Sequence, residues 1–207
     1  MSSKELLSKF HAEVLMLCKL SNPSRGLNEL TDCDFLSSEK RLYYFYQTLN
    51  KIKTYASENA ELHESIALHG RIINPDIVDS IKATTEFLKV FKYSNALLNN
   101  ANENPLHKLT TLNEILSNIL ISGNLLGIFL EEPEVFILEM KEKYIKLNKL
   151  DMKEIQQLLN ERQEAKLKKN YELADSLKLA LDELGIIIQD SKSCSDWDIK
   201  ELFDKQY

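Results

Sequence analysis

The sequence is poor in the residues that β-rich folds use in their turns. Only five of its 207 residues are glycine and four are proline, whereas hairpins and crossover connections depend on both. No apolar run reaches the roughly 20 residues that a membrane-spanning helix needs. These shortages favour a mainly α-helical fold and argue against a membrane protein.

Cysteine is also scarce. The three cysteines are Cys18, Cys33 and Cys194, which lie far apart and form no C-x-x-C pair. We therefore predict neither a disulfide framework nor a zinc knuckle. Residues 1–20 carry charges throughout and do not read as a signal peptide. We therefore expect a cytoplasmic protein.

The net charge of −6 argues against a general binder of polyanions, which needs a basic excess to release counterions. We expect no binding to DNA. Any contact with RNA must depend on a local cluster of residues.

The spacing of apolar residues predicts helices over most of the chain. They are expected near residues 4–20, 34–57, 76–99, 106–129 and 132–147. The fourth is almost wholly apolar between Ile115 and Phe129, so we expect it to be the central helix of a bundle.

The pattern changes after residue 150. Leucine spacing predicts two helices on either side of Asn170, which can adopt the left-handed conformation that ends a helix. Gly185 ends the second helix, and Ile186 to Ile188 are suited to a strand, which Ser195 to Ile199 would pair with in antiparallel fashion. The fold class is therefore mainly α: a helical bundle followed by a small α+β module of two helices and a short antiparallel hairpin.

No catalytic signature is present. The chain lacks a Gly-rich phosphate loop, a G-x-S-x-G sequence and an H-E-x-x-H sequence. Among the histidines, only His63 and His69 come near a metal-ligand spacing, and one helix would turn them to different faces. We predict no catalytic residue and no metal ligand, and we disfavour a self-sufficient enzyme of another kind.

The terminal module carries a more specific set of side chains. Arg162, Lys166 and Lys169 follow each other at helical spacing, and Tyr171 lies at the helix junction where its ring could be exposed. A solvated charged face with a capping tyrosine, and a tryptophan closing a small core, would explain this pattern.

Recognition of single-stranded RNA would also explain it, because bases stack on aromatic rings while side chains bond their edges and phosphates. The candidate residues are the rings of Tyr171 and Trp197, the cations of Arg162 and Lys166, and the carboxylates of Asp175 and Asp190.

These residues lie in a stretch that resembles the C-terminal end of bacterial cysteinyl-tRNA synthetases. That family has a pattern of the form ER-x-x-A-(R/K)-x-x-(K/R)-(D/N)-(F/Y/W)-x-x-AD, then L-x-x-x-GI-x-(L/I)-x-D and a final tryptophan. This chain has "ERQEAKLKKNYELADSL", "LDELGIIIQD" and "DW". The match covers about forty residues in the same order and spacing.

Two upstream segments resemble the same family more loosely. "LLGIFLEEPEVFI" is similar to the joint before the terminal module, and "SSKELLSKFHAEVLMLCKLSNPSRGLN" is similar to the segment after the KMSKS loop. Met16 and "SNPSRG" depart from the family pattern, Lys166 replaces an arginine, and only Thr85 matches the opening of the helical DALR domain.

The resemblance implies three domains: a stem-contact segment over 1–30, a DALR-type bundle over 31–150 and an anticodon-binding module over 151–207. The HIGH and KMSKS motifs, with ATP and zinc, would belong to a catalytic domain outside this chain. This chain would then bind no cofactor and would not be an enzyme on its own. The implied partners are the tRNA for cysteine, with its GCA anticodon, and that catalytic domain. The alternative is a noncatalytic helical interaction module or a decayed synthetase paralogue.

Overall fold

The computed structural model of the protein describes residues 3–63, 80–190 and 195–202, and at several positions near the ends of these ranges, Asp190 among them, it describes the backbone alone. Its elements are α1 (Ser3–Lys9), α2 (Ala12–Ser21), a 3₁₀ turn (Leu27–Glu29), α3 (Asp32–Glu58), α4 (Ala60–His63), α5 (Ser80–Asn99), α6 (Pro105–Leu126), α7 (Pro133–Leu147), α8 (Met152–Leu167), α9 (Tyr171–Glu183), β1 (Ile186–Asp190) and β2 (Ser195–Ile199). The predicted fold class is confirmed.

The chain divides into two compact units, called here unit 1 (Met1–Phe136) and unit 2 (Ile137–Gln206). The division falls inside α7. The predicted domain limits at residues 30 and 150 stay predictions. None of the helices described here combines the length and apolar character needed to cross a bilayer.

The first predicted helix is interrupted. α1 ends at Lys9, and α2 begins at Ala12 with His11 as its N-cap residue. The Nδ1 atom of His11 accepts a hydrogen bond from the backbone N–H of Glu13 at 3.2 Å, which satisfies a donor that the first turn leaves open. Apolar spacing continues across this break, so periodicity alone did not reveal it.

The sequence predicted α6 as the central helix of the bundle. This prediction is wrong, because α3 is the central helix of unit 1. α3 packs against α2, α5 and α6, and between Phe35 and Ile52 it contributes more buried apolar side chains than any other helix described in unit 1. Ile121 and Leu125 of α6, in contrast, are 54% and 78% exposed. The apolar composition of α6 therefore does not mean that other helices cover all of its faces.

A ring cluster surrounds the end of α6. Phe45 and Phe91 stack with centroids 4.4 Å apart, and both meet Phe129 edge-on. A Cβ atom on Gly123 would lie 2.3 Å from the Phe129 ring, so only glycine allows this approach. Gly127, with φ at 73°, ends α6 in the left-handed conformation.

A buried carboxylate holds the loop between α6 and α7. Glu13, 3% exposed, accepts hydrogen bonds from the N–H groups of Phe129 at 2.7 Å and Leu130 at 3.0 Å and from the Tyr46 hydroxyl at 2.8 Å. The Tyr46 oxygen in turn accepts from the N–H of Glu131 at 3.2 Å. Three successive backbone donors of this loop are thereby satisfied inside the protein.

Unit 2 has the predicted arrangement of two helices and a hairpin. Asp151 caps α8 by accepting from the N–H of Lys153 at 2.9 Å, and Gly185, with φ at 77°, follows α9. β1 and β2 pair antiparallel, with Ile186 opposite Ile199 and Ile188 opposite Trp197.

Candidate nucleic-acid interface

The turn between α8 and α9 is compact because two backbone hydrogen bonds close the end of α8. The N–H of Asn170 donates to the carbonyl of Ala165 at 2.8 Å, and that of Lys169 donates to Lys166 at 3.0 Å. Lys169, with φ at 57°, is the left-handed residue. The prediction that Asn170 takes this conformation is wrong, because Asn170 instead caps α9, its side-chain oxygen accepting from the N–H of Leu173 at 3.2 Å.

This turn exposes large apolar side chains. Tyr171, the first residue of α9, is 63% exposed, and Leu167, the last residue of α8, is 78% exposed. The predicted exposure of the Tyr171 ring is therefore confirmed. An accessible aromatic ring can stack on an unpaired base of any identity.

Three lysines precede Tyr171 in the chain at this turn. Lys168 and Lys169 are exposed and Lys166 is half-buried. The ammonium of Lys168 pairs with the Glu164 carboxylate one turn earlier at 3.1 Å. The turn thus combines an exposed ring with local positive charge in a protein whose net charge is −6.

Arg162 lies on the buried face of α8. It is 4% exposed and shares this face with Ile155 and Ala165. The basic series of Arg162, Lys166 and Lys169 therefore begins inside the packed helix pair and reaches solvent only at the turn. Its predicted contact with RNA stays a prediction, and such a contact would require Arg162 to become accessible.

Asp175 lies at a groove of about 440 Å³ between α9 and β1. The side chains lining it from α9 are Asp175, Lys178, Leu179 and Asp182, and those from β1 are Ile186, Ile187 and Ile188. The lining side chains of β1 are apolar and three of the four from α9 are charged, with Asp182 paired to Lys200 at 2.8 Å. An exposed carboxylate beside apolar side chains can accept from the N–H groups of a flat heterocycle.

Trp197 is half-buried on β2. The Nζ atom of Lys141 lies 4.5 Å from the centroid of its ring and donates a hydrogen bond to its backbone oxygen at 2.6 Å. A cation at this distance attracts the ring face, and the second contact fixes the lysine to the same residue. Lys141 therefore holds Trp197 through both its ring and its backbone.

Four of the six predicted site residues are connected by a shared turn, helix, groove or strand pair. Lys166 and Tyr171 flank the same turn, and Asp175 lies one helical turn after Tyr171 on α9. Asp175 and Ile188 line one groove, and Ile188 is the strand partner of Trp197. Arg162 is separated from this surface by its burial, and the side chain of Asp190 lies outside the described residues.

Lys141 was not recognised in the sequence, because it precedes Trp197 by 56 residues and no local spacing connects the two. Lys169 was visible as part of the basic series, but nothing in that series indicated its left-handed backbone. Among the residues described by the structure, no three histidine, cysteine or acidic side chains cluster in a way that could hold a metal ion.

No protein-family model matches the chain, but curated proteins do. The cysteine--tRNA ligase of Nitratidesulfovibrio vulgaris is 25% identical over 208 residues, which cover 95% of this chain and 43% of that protein. The corresponding ligase of Saccharophagus degradans is 24% identical over 197 residues, or 94% of this chain and 39% of that protein. The ligase of Lawsonia intracellularis is 37% identical over 75 residues, which are 36% of this chain.

The family resemblance seen in the sequence is therefore confirmed: this chain matches part of cysteine--tRNA ligase. It spans about two fifths of the length of the curated relatives that match nearly all of it.

Proposed function

Taking the relationship to cysteine--tRNA ligases as our premise, we propose that this chain is a tRNA-binding portion of such an enzyme. In this proposal unit 2 contacts the anticodon of the tRNA for cysteine. Activation of cysteine, with its ATP and zinc, would take place outside this chain, which would have no active site of its own.

The observation that carries the proposal is the exposed Tyr171 ring at a lysine-rich turn. An aromatic side chain that is 63% exposed forgoes the stabilisation that burial of its ring would give. Bases of an unstacked anticodon offer such a ring a partner, and the adjacent lysines offer charges to the phosphates between those bases.

Asp175 and Trp197 would extend this surface from the turn toward the hairpin. A carboxylate only accepts hydrogen bonds, and guanine presents N1–H and N2–H donors side by side. Asp175, which lines the groove, would then favour guanine, the first base of the GCA anticodon. Trp197, held by Lys141, would offer a second ring.

The test is a salt-titrated binding assay with the tRNA for cysteine and with the same tRNA carrying another anticodon. We expect tighter binding to the first. Tyr171→Ala should lose about 1 to 3 kcal/mol of binding free energy, which is roughly 5- to 150-fold in affinity.

Tyr93→Ala is the matched control. Tyr93 is 53% exposed on α5, so its removal deletes a comparable ring from unit 1, and we expect unchanged affinity. Equal binding of the two tRNAs, or equal binding by wild type and Tyr171→Ala, would refute the anticodon assignment.

A helical interaction module remains the second candidate, and the exposed side chains of Ile121 and Leu125 favour it. They lie one turn apart on α6, as apolar side chains of a protein-contact face do. Absence of RNA binding at low salt would favour this candidate.

A further inference from the structure

Lys169 occupies a backbone position that suits glycine or asparagine. Its φ of 57° follows α8, and the hydrogen bonds from Asn170 to Ala165 and from Lys169 to Lys166 form the motif in which glycine commonly ends a helix. A side chain with a Cβ atom is strained in this conformation. The chain thus holds a lysine where its backbone is disfavoured.

Within the described ranges, the charge of Lys169 is not used in an ion pair. Its neighbour Lys168 is paired with Glu164, whereas no carboxylate pairs with Lys169 among the residues that the structure describes. Lys169 is exposed and precedes the exposed Tyr171 by two residues. In the part of the chain that the structure describes, packing and ion pairs therefore do not account for the lysine.

We propose that Lys169 binds a phosphate of the RNA strand whose base stacks on Tyr171. This inference rests on the function proposed above and adds a residue that the sequence did not select for the site. An ammonium group is a compact charge that suits a phosphate oxygen and does not read a base edge as a planar guanidinium does. Lys169 would therefore contribute affinity but no preference for the anticodon.

Lys149 provides a control that matches Lys169 in backbone geometry. It follows α7 with φ at 54°, and the N–H of Leu150 donates to Ile145 at 3.0 Å in the same motif. Glycine at either position should relieve the strained conformation. The midpoint of thermal unfolding should rise by about 2 to 4 °C for each of Lys169→Gly and Lys149→Gly.

Binding should separate the two variants. The logarithm of the binding constant falls linearly with the logarithm of the salt concentration, and loss of one phosphate contact to single-stranded RNA makes this negative slope shallower by about 0.7. At 50 mM salt this corresponds to about 8-fold weaker binding of Lys169→Gly, and at 150 mM salt to about 4-fold. The loss should be equal for the tRNA for cysteine and its anticodon-swapped form, and Lys169→Arg should restore binding. Lys149→Gly should bind as wild type does.

Each remaining outcome overturns a defined claim. Unchanged binding by Lys169→Gly, while Tyr171→Ala binds weakly, would overturn the role of Lys169 and leave the proposed function standing. Equal losses for Lys149→Gly and Lys169→Gly would show a general charge effect and also overturn it. A wild-type chain that binds no RNA at 50 mM salt would overturn both the inference and the proposed function.

Discussion

Replacing Glu13 by glutamine tests the hydrogen bonds that hold the loop between α6 and α7. The Oε2 atom accepts from the Tyr46 hydroxyl and the Phe129 N–H, and the Oε1 atom accepts from the Leu130 N–H. Glutamine keeps the shape but puts an amide donor against one of these donors. At least one buried donor then loses its acceptor, and the others meet a neutral oxygen.

The magnitude follows from the burial. An unsatisfied buried donor costs about 1 to 3 kcal/mol, and hydrogen bonds to a charged acceptor contribute about 1.5 to 3 kcal/mol each. Relief of the desolvated carboxylate offsets part of this loss. We therefore expect Glu13→Gln to lose about 2 to 3 kcal/mol of unfolding free energy, which lowers the thermal midpoint by about 4 to 12 °C.

Tyr46 allows the same interaction to be measured from its other side. Burial, followed by the neighbouring Glu13 carboxylate, raises the pKa of Tyr46 well above its usual range, so its hydroxyl stays a donor. Urea unfolding of Glu13→Gln, Tyr46→Phe and the double variant should give a coupling of about 0.5 to 3 kcal/mol.

Glu114→Gln is the control, because Glu114 is an exposed glutamate on α6 whose change should stay within about 0.5 kcal/mol. Stability of Glu13→Gln equal to that of the wild type, or independent effects of the two substitutions, would refute the reasoning.

Two further predictions concern single contacts. His11→Ala should lose about 1 kcal/mol of unfolding free energy, because it removes the cap of α2, while His11→Asn supplies a new acceptor and should lose less; equal losses in urea unfolding would contradict the capping role. Trp197 is the one tryptophan of the chain, so Lys141→Met should change the fluorescence emission by removing the cation 4.5 Å from its ring. Lys146 is an exposed lysine of α7, and Lys146→Met should leave the emission unchanged. Identical spectra for wild type and Lys141→Met would contradict the contact.

Features that depend on near neighbours in the chain were predictable. The strand pairing of Ile186–Asp190 with Ser195–Ile199 followed from a glycine, a β-branched run and the need of a lone strand for a partner. The exposure of Tyr171 followed from its place at a helix junction. The resemblance to cysteinyl-tRNA synthetases likewise depended on order and spacing within short segments.

The burial of Arg162 could have been inferred from helical spacing. Ile155 comes two helical turns before Arg162, and Ala165 comes about one turn after it, so all three share one face of α8. The basic series of Arg162, Lys166 and Lys169 follows the same helical spacing, so charge pattern and apolar pattern predict opposite exposures for Arg162.

Other features required the folded chain. The Glu13 carboxylate meets Phe129 across 116 residues, and Lys141 meets Trp197 across 56, and no periodicity extends that far. Lys169 takes the left-handed conformation while Asn170 caps α9, and local preference left open which of the two residues would take each role. Apolar spacing thus sufficed for most of the helices and for the hairpin, since these arise from local steric and apolar patterns, and the family was indicated by the resemblance of short motifs in the same order. Which side chains are buried, paired or available to RNA was decided by the packing of helices, because burial depends on partners that lie far away in the sequence.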